Sequence, residues 1–112
     1  MENFLSWSEF ERVEMRVGTI INAEAFPKAR KPAFKLTIDF GEKGIKRTSA
    51  QITKLYSLEQ LLGMQVVAVI NFPPKQIADF MSECLVLGAV GDNGEVTLLQ
   101  PNLPATNGLR IA

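Results

Sequence analysis

The chain has 112 residues, enough for one domain over residues 1–112, and its 46% hydrophobic and 21% charged residues are typical of a soluble globular protein. It contains no histidine, which excludes a histidine base, and a single cysteine, Cys84, which excludes an internal disulfide and a cysteine-based zinc site. The acidic N-terminus lacks the basic start and apolar stretch of a signal peptide, and no apolar run reaches the roughly 20 residues that span a bilayer. We therefore expect a cytoplasmic protein.

Charge is distributed unevenly although the formal net charge is zero. Residues 28–54 carry eight cations and two anions, a net charge of +6, whereas the rest of the chain carries four cations and ten anions. Such a concentration of positive charge is typical of a surface that meets a polyanion.

Capping signals and periodicity predict the first elements. A capping box opened by Ser6 or by Ser8 predicts a short helix over residues 6–14. Residues 15–26 predict a long strand, in which Gly18 is a candidate bulge or bend.

A loop bounded by prolines, residues 27–32, precedes a predicted hairpin. The first strand of the hairpin, residues 33–40, alternates in polarity, and a turn over 41–44 leads to the second strand, residues 45–52. The apolar face of the first strand carries Phe34, Leu36, Ile38 and Phe40.

The second half of the chain predicts a short helix over residues 57–62 and a buried apolar strand over 64–72. Two more strands flank the turn 91–94, and Leu109 with Ile111 could add a last one. Five or six strands with a helix between the third and fourth predict an all-β fold, a five-stranded barrel of the oligonucleotide- and oligosaccharide-binding (OB) type. A generic β-sandwich is the alternative.

The predicted hairpin could form a phosphate-binding face, because OB barrels bind ligands on strands 2 and 3. Lys35 lies on the polar face of its strand; Lys46 and Thr48 share one face of the next strand, and Arg47 and Ser49 share the other. Lysines beside hydroxyls suit phosphate oxygens and sugar hydroxyls. The hairpin lacks a row of aromatics that would stack on bases, which favours recognition of phosphate and shape. A solvated polar face is the alternative.

The apolar strand and the segment after it raise the question of what covers them. Both faces of 64–72 are apolar up to Asn71, so a helix or tail of the same chain, or a partner subunit, must cover the outer face. The next segment stays apolar although two prolines end the strand. It could pack in the core at a chain reversal or form a ledge for varied unfolded segments. The ledge residues are Phe72, Pro73, Pro74, Ile77, Phe80 and Met81.

The sequence shows no catalytic constellation. Asp79 and Glu83 are four residues apart without a predicted helix to bring them together, and Ser49 has no base beside it. The glycines of 41–44 and 91–94 belong to hairpin turns rather than to a loop that cradles phosphate. We therefore predict no enzymatic activity, no metal and no cofactor, ATP included.

Several linked motifs span almost the whole chain. They are MRVGTI (15–20), FPKARKPAFKLTIDFG (26–41), KRTSAQI (46–52), LLGMQVVAVINFPPKQIADFMSECLVLGA (61–89) and NG (107–108), with TSAQITK (48–54) and VINFPPKQI (69–77) as signatures. Together they resemble the tRNA-binding domain family, which occurs at the ends of some methionyl- and phenylalanyl-tRNA synthetases and in endothelial monocyte-activating polypeptide. Within this family, the sequence is most similar to the stand-alone CsaA-type export chaperones.

The resemblance implies an OB barrel with a short N-terminal helix and a C-terminal extension, assembled as a homodimer that would cover the apolar strand 64–72. It implies a chaperone that binds unfolded or precursor polypeptides for export and does not insert into membranes. It also implies, from other relatives, binding of tRNA by shape through basic residues of the barrel face and a serine that matches Ser82.

One segment differs from the tRNA-binding relatives. Many of them read Asn-Leu-Lys-Pro-Arg-Lys-Ile-Arg-Gly where this chain has Asn-Phe-Pro-Pro-Lys-Gln-Ile-Ala-Asp over residues 71–79. Pro73, Gln76 and Ala78 take positions that would be basic, so the segment is less cationic and more apolar. We therefore rank an ATP-independent export chaperone above a structure-specific tRNA-binding protein.

The two hypotheses use different residues. For a polypeptide, the expected contacts are Phe34, Phe72, Pro73, Met81 and Lys75, with Lys35, Lys46 and Arg47 steering acidic or carbonyl-rich segments. For tRNA, the expected contacts are Arg30, Lys31, Lys35, Lys46, Arg47, Lys54 and Ser82.

Overall fold

The computed structural model describes residues 3–112 as a mostly β structure with two short helices. The elements in chain order are α1 (Trp7–Glu11), β1 (Met15–Ala25), β2 (Phe34–Asp39), a 3-10 turn (Gly41–Lys43), β3 (Ile45–Ala50), α2 (Leu58–Leu61), β4 (Gln65–Val69), β5 (Lys75–Ile77), β6 (Phe80–Ser82), β7 (Leu85–Val86), β8 (Gly88–Val90) and β9 (Val96–Leu98).

Both helices begin at the predicted capping boxes. Ser6 accepts a hydrogen bond from the backbone N–H of Glu9, whose carboxylate accepts one from the N–H of Ser6, and Ser57 and Gln60 repeat the arrangement before α2. Helix α1 ends at Glu11, earlier than predicted, whereas α2 places the fully buried Leu61 in the barrel core.

The predicted five-stranded barrel is confirmed. Five strands pair antiparallel in the order β3-β2-β1-β4-β7. The barrel is nearly closed where the backbone N–H of Glu83 donates to the carbonyl of Arg47 at 2.7 Å, and the N–H of Arg47 donates to the Glu83 carboxylate at 2.8 Å. A register shift in β1 lies between Ile20 and Asn22.

Gly18, the candidate for a bulge or bend, pairs in regular register with Val66, so the bulge lies further along β1. A Cβ on Gly18 would lie 2.6 Å from Cγ2 of Ile38 and 2.7 Å from the ring of Phe40. The glycine is required because these buried side chains approach the backbone of β1 closely.

The core confirms the predicted inward face of β2, since Leu36, Ile38 and Phe40 are fully buried. On β4, the outward-facing Val67 and Val69 are also buried, at 8% and 6% exposure, although only one copy of the chain is present. Of the two alternatives for the outer face of this strand, the structure shows cover by the same chain.

The C-terminal segment lies along the start of β1. The N–H of Val17 donates to the carbonyl of Leu109 at 3.0 Å, and the N–H of Ile111 donates to the carbonyl of Met15 at 2.9 Å. The last strand predicted at Leu109 and Ile111 is reduced to a single bridge between Arg16 and Arg110.

Two regions divide more finely than predicted. Strand β4 ends at Val69. The apolar run that precedes the turn 91–94 splits into two strands, β7 and β8. Strand β8 pairs with β9 and forms the hairpin predicted around 91–94. The proline segment leads into a small hairpin, β5–β6, that the sequence did not predict. Its turn places Ala78 at φ 54°, a left-handed conformation that side chains disfavour.

Candidate ligand-binding groove

The loop before β2 and the β5–β6 hairpin are fastened to each other. Phe26 and Phe80 are buried, and Ala33 completes a small apolar cluster separate from the barrel core. The Nζ of Lys28 donates to Oδ2 of Asp79 at 2.9 Å across the outside of the same contact. Loop and hairpin therefore form two connected walls standing on the barrel.

A groove of about 1130 Å³ lies between these walls. The loop, the proline segment with the hairpin, and the adjoining barrel strands all contribute to it. Its lining residues are Ala29, Arg30, Lys31, Ala33, Ser49, Gln51, Phe72, Pro73, Lys75, Gln76, Ile77, Ala78, Ser82, Cys84 and Leu85. It is the size of a site for a small ligand or a short stretch of peptide.

The floor of the groove is held by a hydrogen-bond network on β3. Thr48 is buried, and its hydroxyl donates to the carbonyl of Cys84 at 2.7 Å and lies 3.0 Å from the hydroxyl of Ser82. The hydroxyl of Ser82 also accepts from the N–H of Ser49 at 3.2 Å. Ser82 therefore joins the hairpin to the barrel while it lines the groove.

Cys84 is inert in this floor. It is buried, and desolvation raises the pKa of its thiol to about 12, outweighing the hydrogen bond from Thr48. A protonated, buried thiol is a poor nucleophile.

The residues expected to contact a polypeptide separate into two groups. Phe72, Pro73 and Lys75 line the groove together, and the Phe72 side chain is 53% exposed. Phe34 packs instead against the barrel core, so it lies outside the groove. Met81 is 49% exposed but does not line the groove.

The residues expected to contact RNA also separate. Arg30, Lys31 and Ser82 line the groove. Lys35 and Arg47 lie beside it over the ring of Phe80, with Nζ 5.8 Å and Cζ 4.5 Å from the ring centroid.

Lys54 lies elsewhere and donates to the carbonyl of Asn93 in the β8–β9 turn.

The predicted phosphate-binding face needs a correction. Lys35 is opposite Ser49 and Thr37 is opposite Arg47, so these four side chains share the outer face of the β2–β3 hairpin. Lys46 and Thr48 belong to the other face, where Thr48 is turned into the barrel. The alternation was identified correctly, but the hydroxyl beside the cations is that of Ser49.

The sequence did not single out Gln51 or Leu85 as groove residues. Leu85 sits in an apolar run that reads as wholly buried, yet it is 49% exposed at the groove. Within residues 3–112 no group of three histidine, cysteine, aspartate or glutamate side chains could hold a metal ion. None of the helices described in that range is long and apolar enough to cross a membrane.

Comparison with known proteins relates the chain to two kinds of protein. Residues 15–110 match the model of a family described as a putative tRNA binding domain. The solved structure of the chaperone CsaA from Bacillus anthracis is 52% identical, with a TM-score of 0.93 over 98% of this chain and 100% of that one. The CsaA chaperone of Picrophilus torridus is 45% identical, with a TM-score of 0.90 over 97% and 100% of the two chains.

Among curated proteins, the methionine–tRNA ligase of Methanococcoides burtonii is 32% identical over 110 residues. This match covers 98% of the present chain but only 16% of the ligase. The chain therefore corresponds to a small part of such ligases.

Proposed function

Because the chain belongs to the putative tRNA binding domain family and is closely similar to CsaA chaperones over their whole length, we propose that it is an ATP-independent chaperone in the cytoplasm. It binds unfolded or precursor polypeptides destined for export in the groove between the loop before β2 and the β5–β6 hairpin. The observation that carries this proposal is the exposed apolar wall formed by Phe72 and Pro73.

The wall suits a polypeptide on physical grounds. Burying a large apolar side chain such as Phe72 under a ligand contributes about 1.5–3 kcal/mol of favourable free energy. Pro73 and Pro74 fix the backbone before β5, so little conformational entropy is lost when a ligand docks. Ser49 and Gln51 on the floor offer hydrogen-bond partners to a peptide backbone without demanding one sequence.

We further propose a homodimer, for which the N-terminal segment is the support. Helix α1 has five residues and buries none of them, and Phe4 and Trp7 are 86% and 85% exposed. An isolated helix shorter than about 12 residues is marginal in water, so a second copy covering this segment would stabilise it. Sedimentation that gives a stable monomer at micromolar concentration would contradict the dimer, and Trp7→Ser should shift the equilibrium towards monomer.

Structure-specific tRNA binding is the second candidate function. It is favoured by the family itself and by the outer face of the β2–β3 hairpin, where Lys35 and Arg47 project beside the groove cations. It is disfavoured by the neutral side chains of Pro73, Gln76 and Ala78 on the other wall. Since tRNA affinity depends on phosphate contacts, it should fall steeply with salt.

One experiment separates the two candidates. Capture of a denatured client protein without ATP, and retention of tRNA on a filter, are measured for wild type, Phe72→Ser and Lys35→Glu/Arg47→Glu. We expect Phe72→Ser to weaken client capture and spare tRNA, and the double reversal to weaken tRNA binding and flatten its salt dependence. Met81→Ser is the matched control, since Met81 is similarly exposed but lies outside the groove. Equal losses from Phe72→Ser and Met81→Ser would contradict the assignment of the groove.

A further inference from the structure

The groove has a one-sided charge. Its cationic lining residues are Arg30, Lys31 and Lys75, and none of the residues that line it within 3–112 is an aspartate or glutamate. Arg30 and Lys31 belong to the loop wall and Lys75 to the hairpin wall. An occupant that fills the groove therefore meets positive charge on both sides.

These three cations also lack a partner in the described part of the chain, residues 3–112. The ion pairs within 4.0 Å there are Arg16 with Glu14 and Lys28 with Asp79.

The cations nearby are engaged. Lys28 is paired, and Lys35 and Arg47 lie on aromatic rings. The three groove cations thus lie without a partner where the apolar wall is exposed.

Burying the apolar wall under a ligand removes water from these cations as well. Desolvating a charge is unfavourable unless the ligand supplies an opposite charge. A neutral apolar segment leaves that cost uncompensated, and a lysine-rich segment adds repulsion to it. A segment that carries carboxylates close to its apolar side chains matches both the apolar wall and the cations of the groove.

Resting on the proposed chaperone function, we infer that the groove selects polypeptide segments in which acidic residues flank apolar ones, and rejects segments with basic flanks. Export signals begin with a basic region. The groove therefore engages acidic–apolar segments of the mature part of a precursor and leaves the basic start of the signal unbound.

The test uses three labelled ten-residue peptides that share one apolar centre and differ only in two flanking residues, which are Glu, Gln or Lys. Their dissociation constants are measured by fluorescence anisotropy with the full chain. We expect the Glu peptide to bind tightest and the Lys peptide weakest, by up to about fivefold per exposed ion pair at low salt. The differences should shrink in 1 M salt, where the screening length is about 3 Å.

Variants locate the selectivity. Lys75→Gln should reduce the ratio of the affinities for the Glu peptide and the Gln peptide, and Arg30→Gln/Lys75→Gln should reduce it further. Lys43→Gln is the matched control, because it removes the same charge from the exposed 3-10 turn outside the groove. A preference that survives the double variant, or that falls equally in Lys43→Gln, would overturn the inference.

The failures of the two proposals are distinguishable. If none of the three peptides binds, the chaperone function itself fails. If all three bind with equal affinity, the chaperone function stands and the charge selection is wrong.

Discussion

Phe26 and Phe80 meet edge to face, with ring centroids 5.5 Å apart and an interplanar angle of 62°. This contact joins the loop before β2 to the β5–β6 hairpin, two segments that are far apart in the sequence. Lys35 lies over both rings and Arg47 over that of Phe80, so charged side chains shield the pair from water. The shape of the groove depends on this aromatic contact, because the contact holds together the two walls of the groove, the loop before β2 and the β5–β6 hairpin.

Phe80→Ala should detach the hairpin from the loop. Deleting a buried aromatic side chain costs about 3–4 kcal/mol of unfolding free energy, which urea denaturation would measure. Client capture should fall in the same variant because the groove loses a wall. Met81→Ala, a change on the exposed side of the same strand, should cost less than about 0.5 kcal/mol. A loss of unfolding free energy in Phe80→Ala as small as that in Met81→Ala would show that the hairpin contributes little to the fold.

Ala78→Gly should stabilise the protein. Ala78 occupies a left-handed conformation with φ 54°, which costs a residue with a Cβ about 1–2 kcal/mol and costs glycine almost nothing. The greater freedom of glycine in the unfolded chain offsets part of the gain, so we expect a net increase of about 0.5–1 kcal/mol in unfolding free energy. Ala89→Gly in strand β8 is the control and should be destabilising. A lower urea midpoint for Ala78→Gly would contradict the backbone assignment.

Asp79 should make stability depend on acid pH. The hydrogen bond from Lys28 is the largest cause that holds the pKa of Asp79 below its ordinary value. A carboxylate with a lowered folded-state pKa stabilises the protein above its unfolded pKa of about 3.9, and this contribution is lost as pH falls through the folded-state pKa.

Carboxyl titration by NMR would measure the effect directly. In Lys28→Gln the pKa of Asp79 should move up towards its ordinary value, and stability below the unfolded pKa of about 3.9 should become less dependent on pH. An unchanged Asp79 titration in Lys28→Gln would mean that the ion pair does not form in solution.

Cys84 should resist thiol reagents in the folded protein. Burial raises the pKa of its thiol to about 12, so almost no thiolate is present at pH 8. Reaction with a chromogenic disulfide should be slow for the native protein and complete within the mixing time in urea. The rate should track the opening of the β6–β7 region, because Cys84 lies in the link between these two strands and is buried. Rapid stoichiometric labelling of the native protein would contradict the buried position.

Much of the barrel could be predicted because its signals are local. Both capping boxes lie within four residues, and the alternation of β2 marks its inward face directly. The orientation of β3 could not be predicted, because Thr48 turns inward only where the carbonyl of Cys84 accepts its hydroxyl. A polar side chain can be buried when such a partner exists, and the partner lies on a distant strand.

The groove was harder to predict than the barrel for a similar reason. Strands β5 and β6 have three residues each, too few for alternation to be recognised after two prolines. The sequence suggested that Phe72, Pro73 and Lys75 belong together, since they are near neighbours. Arg30 and Lys31 join them only because the Phe26–Phe80 contact brings the loop across, so one surface now holds candidates from both hypotheses.

The hydrogen bonds from the C-terminal segment to Met15 and Val17 have a consequence for self-association. An open strand edge is a template on which an extended foreign chain can pair, and unfolded polypeptides are rich in such extended segments. A protein proposed to handle them is at risk of joining their aggregates through its own backbone. By occupying the margin of β1, residues 109–111 remove that template from the strand.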